Sequence, residues 1–195
     1  MEQTIRTELA EIEKREDVKV VYACESGSRA WGFPSVDSDY DVRFIYLHPS
    51  EWYLSIEDRR DVIEVPITGQ LDVNGWDLRK ALQLFRKSNP SLAEWLNSPV
   101  VYLEEYSVAS RLRSMLPAYY SPTACSYHYL QMARGKVREI SKGEQVGFKT
   151  YFYALRPLLA INWLEQGLGV VPTEFGALVD RIVTAPGLKA EIGRL

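Results

Sequence analysis

Two apolar segments on either side of a turn-rich stretch constrain the fold of this chain more than any other feature. The first segment, VKVVYAC (18–24), is rich in β-branched residues, and the second, DVRFIYL (41–47), alternates apolar with polar side chains. Both patterns predict β-strands. The stretch between them is rich in Gly, Ser, Pro and Asp, which favour turns, although its first residues are also compatible with a short helix. The sequence therefore predicts two strands joined by a long polar connection.

The remainder of the first half predicts further strands and helices. Asp77 stands just before an apolar periodicity and is a natural N-cap. The predicted elements are a helix over 3–16, strands over 61–67 and 70–76 with a turn at Thr68-Gly69, a helix over 78–88 and a short helix over 91–98.

Strand signals fade from about residue 108 onward. Two segments, 124–143 and 147–167, have the length and composition of helices, and each ends at a glycine. The sequence predicts an α+β protein: a mixed central β-sheet flanked by helices over 1–107, followed by a C-terminal helical bundle over 108–195.

Composition narrows the class of protein. With 46% hydrophobic residues among 195, the chain can bury a sizeable core. No apolar run approaches the roughly 20 residues of a membrane span, and the N-terminal residues are charged and lack an apolar signal region. Cys24 and Cys125 lie far apart, which favours reduced, buried thiols. A cytoplasmic protein that does not enter membranes is expected.

Charge is divided unevenly along the chain. Residues 1–107 carry 20 acidic and 12 basic side chains, whereas 108–160 carry 2 acidic and 8 basic ones. This division is compatible with ordinary surface variation, and also with an acidic half that binds metal ions facing a basic half that meets a polyanion.

The polar connection carries residues suited to phosphates and metal ions. Gly27 allows a sharp turn at the end of the first strand, so that nearby amides and the Ser28 hydroxyl can face an anion. Asp39, eleven residues after Ser28, and Asp41 project to the same face of the second strand. Two such carboxylates repel one another unless a cation lies between them, and Mg²⁺ prefers this oxygen-rich setting. A nucleoside triphosphate needs both features at once.

A third carboxylate on a neighbouring strand would complete the site. Asp72, between Leu71 and Val73 in the fourth predicted strand, is the favoured candidate. Asp77 is the alternative, although helix capping explains it adequately.

The helical half contributes a polar face to an otherwise apolar helix. Lys149, Tyr153 and Arg156 lie at i, i+4 and i+7, on one side of the helix. If this face lines a cleft, the two cations can bind phosphate and the tyrosine can stack on a base. The alternative is that the long side chains extend to solvent over a buried helix. Arg29, directly after Gly-Ser, is a further candidate for phosphate contact, or a solvent-exposed turn residue.

Three blocks of sequence resemble a known family. The blocks are GSRAWGFPSVDSDYDVRF, DVNGWDLRKALQLFRKSNPSLAEWL and KTYFYALRPLLAINWLE. They are similar to the DNA polymerase beta-type nucleotidyltransferase superfamily, and to the branch of predicted nucleotidyltransferases that includes the RNA repair pathway nucleotidyltransferase. The resemblance runs from about residue 18 to about 180. Ser26 departs from it, since the superfamily often has an apolar residue before the glycine.

The resemblance implies an enzyme that moves NMP from an NTP to an acceptor hydroxyl and releases pyrophosphate. Gly27 and Ser28 would contact the triphosphate, Asp39 and Asp41 would bind two Mg²⁺ or Mn²⁺ ions, and Asp72 would bind the ion that activates the acceptor. An RNA 3′ end is one implied acceptor in this two-metal mechanism.

Two other functions stay open. The chain is alternatively an antitoxin-like or regulatory relative that binds a partner protein, or an enzyme that nucleotidylates a hydroxyl of a protein. The intact carboxylate set favours catalysis, and the moderate net charge of −3 disfavours tight general binding of nucleic acid.

Overall fold

The computed structural model describes residues 1–67, 69–142 and 147–194, and omits the side chain of Phe148. Thr68, half of the predicted turn, and Gly143, the glycine expected to end the first long helix, lie outside the described residues. Within the described part of the chain, no helix has the length and apolar character needed to cross a membrane.

The described residues form an α+β fold, as predicted. The strands are β1 (Lys19–Glu25), β2 (Tyr40–Leu47), β3 (Val62–Glu64), β4 (Leu71–Asp77) and β5 (Val101–Glu104). The helices are α1 (Glu2–Glu16), α2 (Gly27–Trp31), α3 (Ser50–Tyr53), α4 (Leu78–Arg86), α5 (Pro90–Leu96), α6 (Val108–Tyr119), α7 (Pro122–Ser141), α8 (Phe148–Glu165), α9 (Phe175–Ile182) and α10 (Pro186–Ile192).

The strands form one mixed sheet in the order β3-β4-β2-β1-β5. β2 and β4 run parallel, with Asp41 opposite Asp72, while the remaining neighbours pair antiparallel. In a parallel pair in register, matching side chains project from the same face. The topology thus brings together two carboxylates that are far apart in sequence.

Three parts of the sheet half differ from the expectations. β3 is shorter than the predicted strand over 61–67, and the short helix α3 was not expected. The turn-rich connection begins with the short helix α2, which is the alternative that the sequence left open. β5 has no counterpart among the predicted elements. It has four residues, VYLE, too few to show a clear alternation, and its place depends on antiparallel pairing with β1.

Helices cover both faces of the sheet. On one face, α1 buries Ile5, Leu9 and Ile12 against β1, β2 and β4. On the other, α4, α5 and α6 share a core with β1 and β2. α6 contributes Ala109 and Leu112 to this core, so its first turns pack with the sheet half. The division of the chain into two domains at residue 107 stays a prediction.

The C-terminal helices form their own core, as predicted for this half. α7 and α8 pack along each other around Cys125, Tyr129 and Ala160. A further cluster joins Trp31 of α2 to Phe175 of α9, so the helical half contacts the residues that follow the first strand. The polar connection therefore lies between the two halves.

Candidate active site

Gly27 turns the chain at the end of β1 and lies directly against Asp41. Its φ is +58°, a left-handed conformation that favours glycine. A Cβ atom added at Gly27 would lie 2.0 Å from Oδ2 of Asp41, and the Ser26 N–H donates to the Asp41 carbonyl at 2.8 Å. Only glycine therefore permits this approach between the turn and the carboxylate.

A buried glutamate fixes the backbone of Asp41. Glu25 accepts a hydrogen bond from the Asp41 N–H through Oε1 at 2.8 Å and another from the Tyr102 hydroxyl through Oε2. Ser98 donates to the Glu25 carbonyl at 2.6 Å. Burial raises the pKa of Glu25 above its ordinary value, although the hydrogen bonds from Tyr102 and Asp41 oppose the rise.

Ser28, near the start of the polar connection, is buried. Its hydroxyl is 1% exposed and donates to Oγ of Ser38 at 3.2 Å. The same Ser38 oxygen accepts from the Ser35 N–H at 2.8 Å and from Nζ of Lys149 at 3.4 Å. The Ser28 hydroxyl thus stabilises the connection, and Lys149 of α8 reaches across to it from the helical half.

Arg29 braces the segment before the aspartate pair. Its Nε donates to the Asp39 carbonyl at 3.1 Å, its Nη2 donates to the Ser38 carbonyl at 2.9 Å, and its guanidinium lies 3.8 Å from the centre of the Tyr40 ring. These contacts position the Asp39 backbone, which differs from the phosphate contact expected for Arg29.

The carboxylates of Asp41 and Asp72 are bridged by one side chain. Nη2 of Arg43 lies 3.0 Å from Oδ1 of Asp41 and 2.7 Å from Oδ2 of Asp72. Burial raises the pKa of Asp41, the Arg43 guanidinium opposes the rise, and the neighbouring carboxylates add to it. Asp39 is exposed two residues earlier. In the described ranges, no group of three acidic, cysteine or histidine side chains is arranged to hold a metal ion.

Arg43 is the residue of this site that the sequence reasoning missed. It lies two positions after Asp41 on β2, and residues two apart share one face of a strand. The same spacing that pairs Asp39 with Asp41 therefore signals that Arg43 faces the carboxylates. Its cationic head lies between Asp41 and Asp72, two of the three carboxylates that were expected to bind metal ions.

Asp77 lies at the opposite end of β4 from Asp72. It is fully buried, accepts from the Arg79 N–H at 2.7 Å as the N-cap of α4, and accepts from the Tyr53 hydroxyl at 2.6 Å. Five strand positions separate it from Asp72, a distance of about 16 Å. The capping role is confirmed, and this separation is incompatible with Asp77 serving as the third ligand of the same ion.

Arg156 does not face the cleft as its helical spacing suggested. Its side chain is 1% exposed and pairs with Glu94 of α5, with Nη1 at 2.7 Å from Oε1. Nη2 donates to the carbonyls of Pro172 and Thr173, and the guanidinium lies 4.5 Å from the centre of the Trp31 ring. The expected phosphate contact is therefore corrected: burying a cation requires a partner, and Glu94 supplies it.

Lys149 and Tyr153 do reach the site. Nζ of Lys149 lies 3.4 Å from Oγ of Ser38, next to Asp39 in the chain, and the charge of Lys149 acts to lower the pKa of Asp41. Burial raises the pKa of Tyr153, and the charges of Asp41 and Asp39 add to the rise. The Tyr153 ring packs edge-on against Trp31, with 5.0 Å between centroids. Two of the three residues of the predicted face therefore approach the carboxylates.

A cavity of about 350 Å³ opens beside these residues, between the sheet and the helical half. Its wall includes Gly27, Asp41, Arg43, Trp76, Trp95 and Tyr153. Larger cavities of about 420 and 500 Å³ lie elsewhere, against α7–α8 and against α4, and their walls are mainly apolar. The cavity beside Asp41 is smaller, but it alone among these three contains the clustered charges.

The mixed sheet, the glycine turn and the carboxylates on neighbouring strands define a nucleotidyltransferase-like protein. The model of the RNA repair pathway DNA polymerase beta family matches residues 1–195, and the chain belongs to that family.

The chain is also similar to one further protein in sequence and to one solved structure. The chain is 53% identical over 195 residues to the protein named Uncharacterized protein YcgL from Bacillus subtilis (strain 168), covering 100% of this chain and 75% of that protein. It is also similar to the crystal structure of a nucleotidyltransferase-like protein from Exiguobacterium sibiricum 255-15, with 13% identity and a TM-score of 0.41, over 100% of this chain and 66% of that one.

Proposed function

We propose that this protein is a Mg²⁺-dependent nucleotidyltransferase that moves NMP from an NTP to an acceptor hydroxyl and releases pyrophosphate. The observation that carries the proposal is the approach of Gly27 to Asp41, with Asp72 in register beside it. Phosphate and metal ion must be neighbours in nucleotidyl transfer, and this geometry makes the turn and the carboxylate neighbours.

The residues present fit a divalent cation with oxygen ligands. The absent side chain of Gly27 leaves the space into which Asp41 projects, and Asp72 lies opposite Asp41 on the parallel strand. The Asp39 carboxylate is near enough for its charge to act on the pKa of Asp41. Mg²⁺ or Mn²⁺ typically takes one or two carboxylates together with substrate phosphates and water. Asp39, Asp41 and Asp72 would hold such ions, which would supply activation of the acceptor hydroxyl and neutralisation of the leaving pyrophosphate.

Protein groups bind and orient the substrate. The backbone at Gly27 and Ser28 faces the triphosphate, and Lys149 adds a cation from the helical half. Tyr153 and the stacked pair Trp76–Trp95, with centroids 3.7 Å apart, form an aromatic wall suited to a planar base. The acceptor oxygen then attacks the α-phosphorus as the bond to the β-phosphate oxygen breaks.

The division of labour follows from this arrangement. Residues 1–107 supply the catalytic carboxylates and the turn at Gly27 and Ser28, and 108–195 add Lys149 and Tyr153 as substrate contacts. An RNA 3′ end is the proposed acceptor, in keeping with the description of the family. The free, buried thiols of Cys24 and Cys125 fit a cytoplasmic setting.

One observation favours a second candidate, a regulatory module that binds a partner protein. Arg43 already neutralises part of the charge of Asp41 and Asp72, so the carboxylates are stable together without a metal ion. A non-catalytic relative needs only such a self-neutralised site.

A survey of acceptors tests the proposed function. The protein is incubated with each labelled NTP, Mg²⁺ or Mn²⁺, and RNA ends, DNA ends, proteins or small hydroxyl compounds. Transfer to RNA that disappears in the Asp39→Ala, Asp41→Ala double variant supports the enzyme. Failure of transfer to every acceptor with either metal supports the regulatory module.

A further inference from the structure

Arg43 makes an unusually complete set of contacts for a residue beside an active-site cavity. In addition to the two carboxylates, its Nη1 donates to the carbonyls of Val42 and Asp72 at 3.1 Å each. One guanidinium thus binds both strands that carry the site, and it forms part of the wall of the 350 Å³ cavity.

The position of the guanidinium coincides with the position that a bridging cation requires. Asp41 and Asp72 are register partners on parallel strands, and Nη2 of Arg43 lies within hydrogen-bonding distance of both. Their side chains are 24% and 28% exposed, so the ion pairs are shielded more than pairs at an open surface. A dication that binds both carboxylates must displace Nη2 from them.

We propose that Arg43 is an internal competitor of the metal ion: its guanidinium neutralises Asp41 and Asp72 in the free protein and must leave them when a divalent cation binds. The inference rests on the proposed function for the use of that cation. The single positive charge offsets only one of two negative charges, which leaves the pair attractive to a dication.

The departing guanidinium has a partner of its own in the substrate. Arg43 borders the cavity, and a planar guanidinium binds phosphate oxygens in a bidentate manner. The metal ion releases the guanidinium to bind phosphate, and the phosphate compound holds the guanidinium away from the carboxylates that bind the metal ion. Binding of each ligand therefore favours binding of the other. Arg43 acts in this scheme as a positioning residue that couples the two ligands.

Manganese titration measures the competition without requiring turnover. Free Mn²⁺ is followed by electron paramagnetic resonance as it is added to the full chain. Arg43→Gln keeps a hydrogen-bonding side chain and removes the charge, so we expect the apparent Kd for Mn²⁺ to fall roughly tenfold, within the usual range of coupling between ligands. Unchanged or weaker binding in the folded variant overturns the proposal.

Three variants complete the test. Arg60→Gln removes an exposed arginine that pairs with Glu64, and should leave the Kd unchanged. Asp72→Asn combined with Arg43→Gln should cancel the gain, and persistence of the gain overturns the proposal. If Arg43→Gln fails to fold, Arg43→Lys keeps the charge without the fork and should tighten Mn²⁺ binding less, in the same direction; no tightening overturns the proposal.

Pyrophosphate gives a second arm. It should strengthen Mn²⁺ binding more in the wild type than in Arg43→Gln, because only the wild type has a guanidinium to transfer; equal strengthening overturns the coupling. Failure of this inference is distinguishable from failure of the proposed function. If the protein transfers NMP but its affinity for Mn²⁺ does not depend on Arg43, the role of Arg43 is wrong and the proposed function stands. If Mn²⁺ binding depends on Arg43 but no acceptor is labelled, the role of Arg43 stands and the proposed enzymatic activity is wrong.

Discussion

At the scale of single residues, the space left by one missing side chain determines where a carboxylate of the site lies. Gly27 and Asp41 approach so closely that even a methyl group cannot fit between them. Because Ser26 and Glu25 hold the Asp41 backbone on the other side, the carboxylate cannot move away freely. Position 27 therefore constrains the chemistry of the site as well as the turn.

Gly27→Ala should impair folding and activity together. The left-handed backbone alone costs an alanine about 1–2 kcal/mol, and overpacking against Asp41 adds about 1–3 kcal/mol. We expect the free energy of unfolding, measured by urea denaturation, to fall by about 3 kcal/mol.

Gly32→Ala is the matched control for this prediction. Gly32 also has a left-handed φ, +90°, but a Cβ there meets no atom within 4 Å. Its variant should show the backbone cost alone and retain activity. Equal losses in the two variants would show that the contact with Asp41 contributes nothing.

Arg156 lies on α8, the helix expected to contact phosphate, but its side chain forms a buried ion pair instead. Glu94 accepts hydrogen bonds from Arg156, from the Trp31 indole at 3.1 Å and from the Tyr129 hydroxyl at 3.2 Å. This buried group connects α2, α5, α7 and α8. The guanidinium therefore fastens the helical half to the residues behind the site.

Arg156→Met should destabilise the protein rather than weaken nucleotide binding selectively. Breaking a buried pair leaves Glu94 uncompensated, which typically costs about 3–5 kcal/mol. Chemical unfolding measures the loss, and adding Glu94→Gln should recover part of it, since the remaining buried charge is then removed. A stable Arg156→Met protein with a raised KM for NTP would instead restore the predicted phosphate contact.

At the scale of elements, the end of β1 organises the site through buried polar contacts. Glu25 is 1% exposed and holds the Asp41 amide of β2 and the Tyr102 hydroxyl of β5. Three strands therefore meet at one carboxyl group whose ionised form is disfavoured by burial.

Glu25 should give the protein a pH-dependent stability. Its pKa in the folded state lies above the ordinary 4.5, so its favourable contribution is complete below that pH and is lost as pH rises through the raised pKa. Glu25→Gln lacks this titration. Urea unfolding across about pH 4–8 should show the variant gaining stability relative to the wild type as pH rises. A difference that stays level contradicts the assignment.

Much of this element-level architecture could be predicted from sequence periodicity. The strongly patterned segments, such as α1 with its buried Ile5, Leu9 and Ile12, form where they were expected. β5 could not be predicted because four residues carry no period and depend on β1 for hydrogen bonds.

The site could be predicted in part, for a related reason. Strand spacing predicts that Asp41 and Arg43 share one face, whereas Asp39 precedes the first residue of β2. Only the parallel pairing of β2 with β4 brings Asp72 to Asp41. Helical spacing predicts that Arg156 lies on the same side of α8 as Lys149. It does not predict the buried ion pair that Arg156 forms with Glu94 of α5.

At the scale of the whole molecule, the two halves meet across the polar connection. Lys149 of α8 reaches Ser38, which lies 111 positions earlier in the chain, and both flank the aspartate segment. The substrate proposed to bind at Asp41 would therefore contact both halves. The uneven distribution of charge along the chain is seen at this point, because Lys149 comes from the basic segment 108–160 and lies beside the aspartates of the acidic segment 1–107.

Lys149→Met should weaken binding of the NTP and leave stability unchanged. The lysine is exposed, and a lost charge-assisted contact to phosphate costs about 1.5–3 kcal/mol. Because this contact serves substrate and transition state alike, KM should rise about tenfold or more with kcat little changed. Lys142→Met removes the same charge from the end of α7 and is the control. A KM that is the same in both variants argues against phosphate contact by Lys149.

The position of the transferred label distinguishes transfer of a nucleotidyl group from transfer of the terminal phosphate. The wild type and the Asp39→Ala, Asp41→Ala variant are given Mg²⁺, RNA ends and NTP labelled at either the α- or the γ-phosphate. We expect α-label alone on the RNA, one pyrophosphate released for each transfer, and no transfer by the variant. Transfer of γ-label, or α-label transfer that survives loss of both aspartates, would rule out nucleotidyl transfer at these carboxylates.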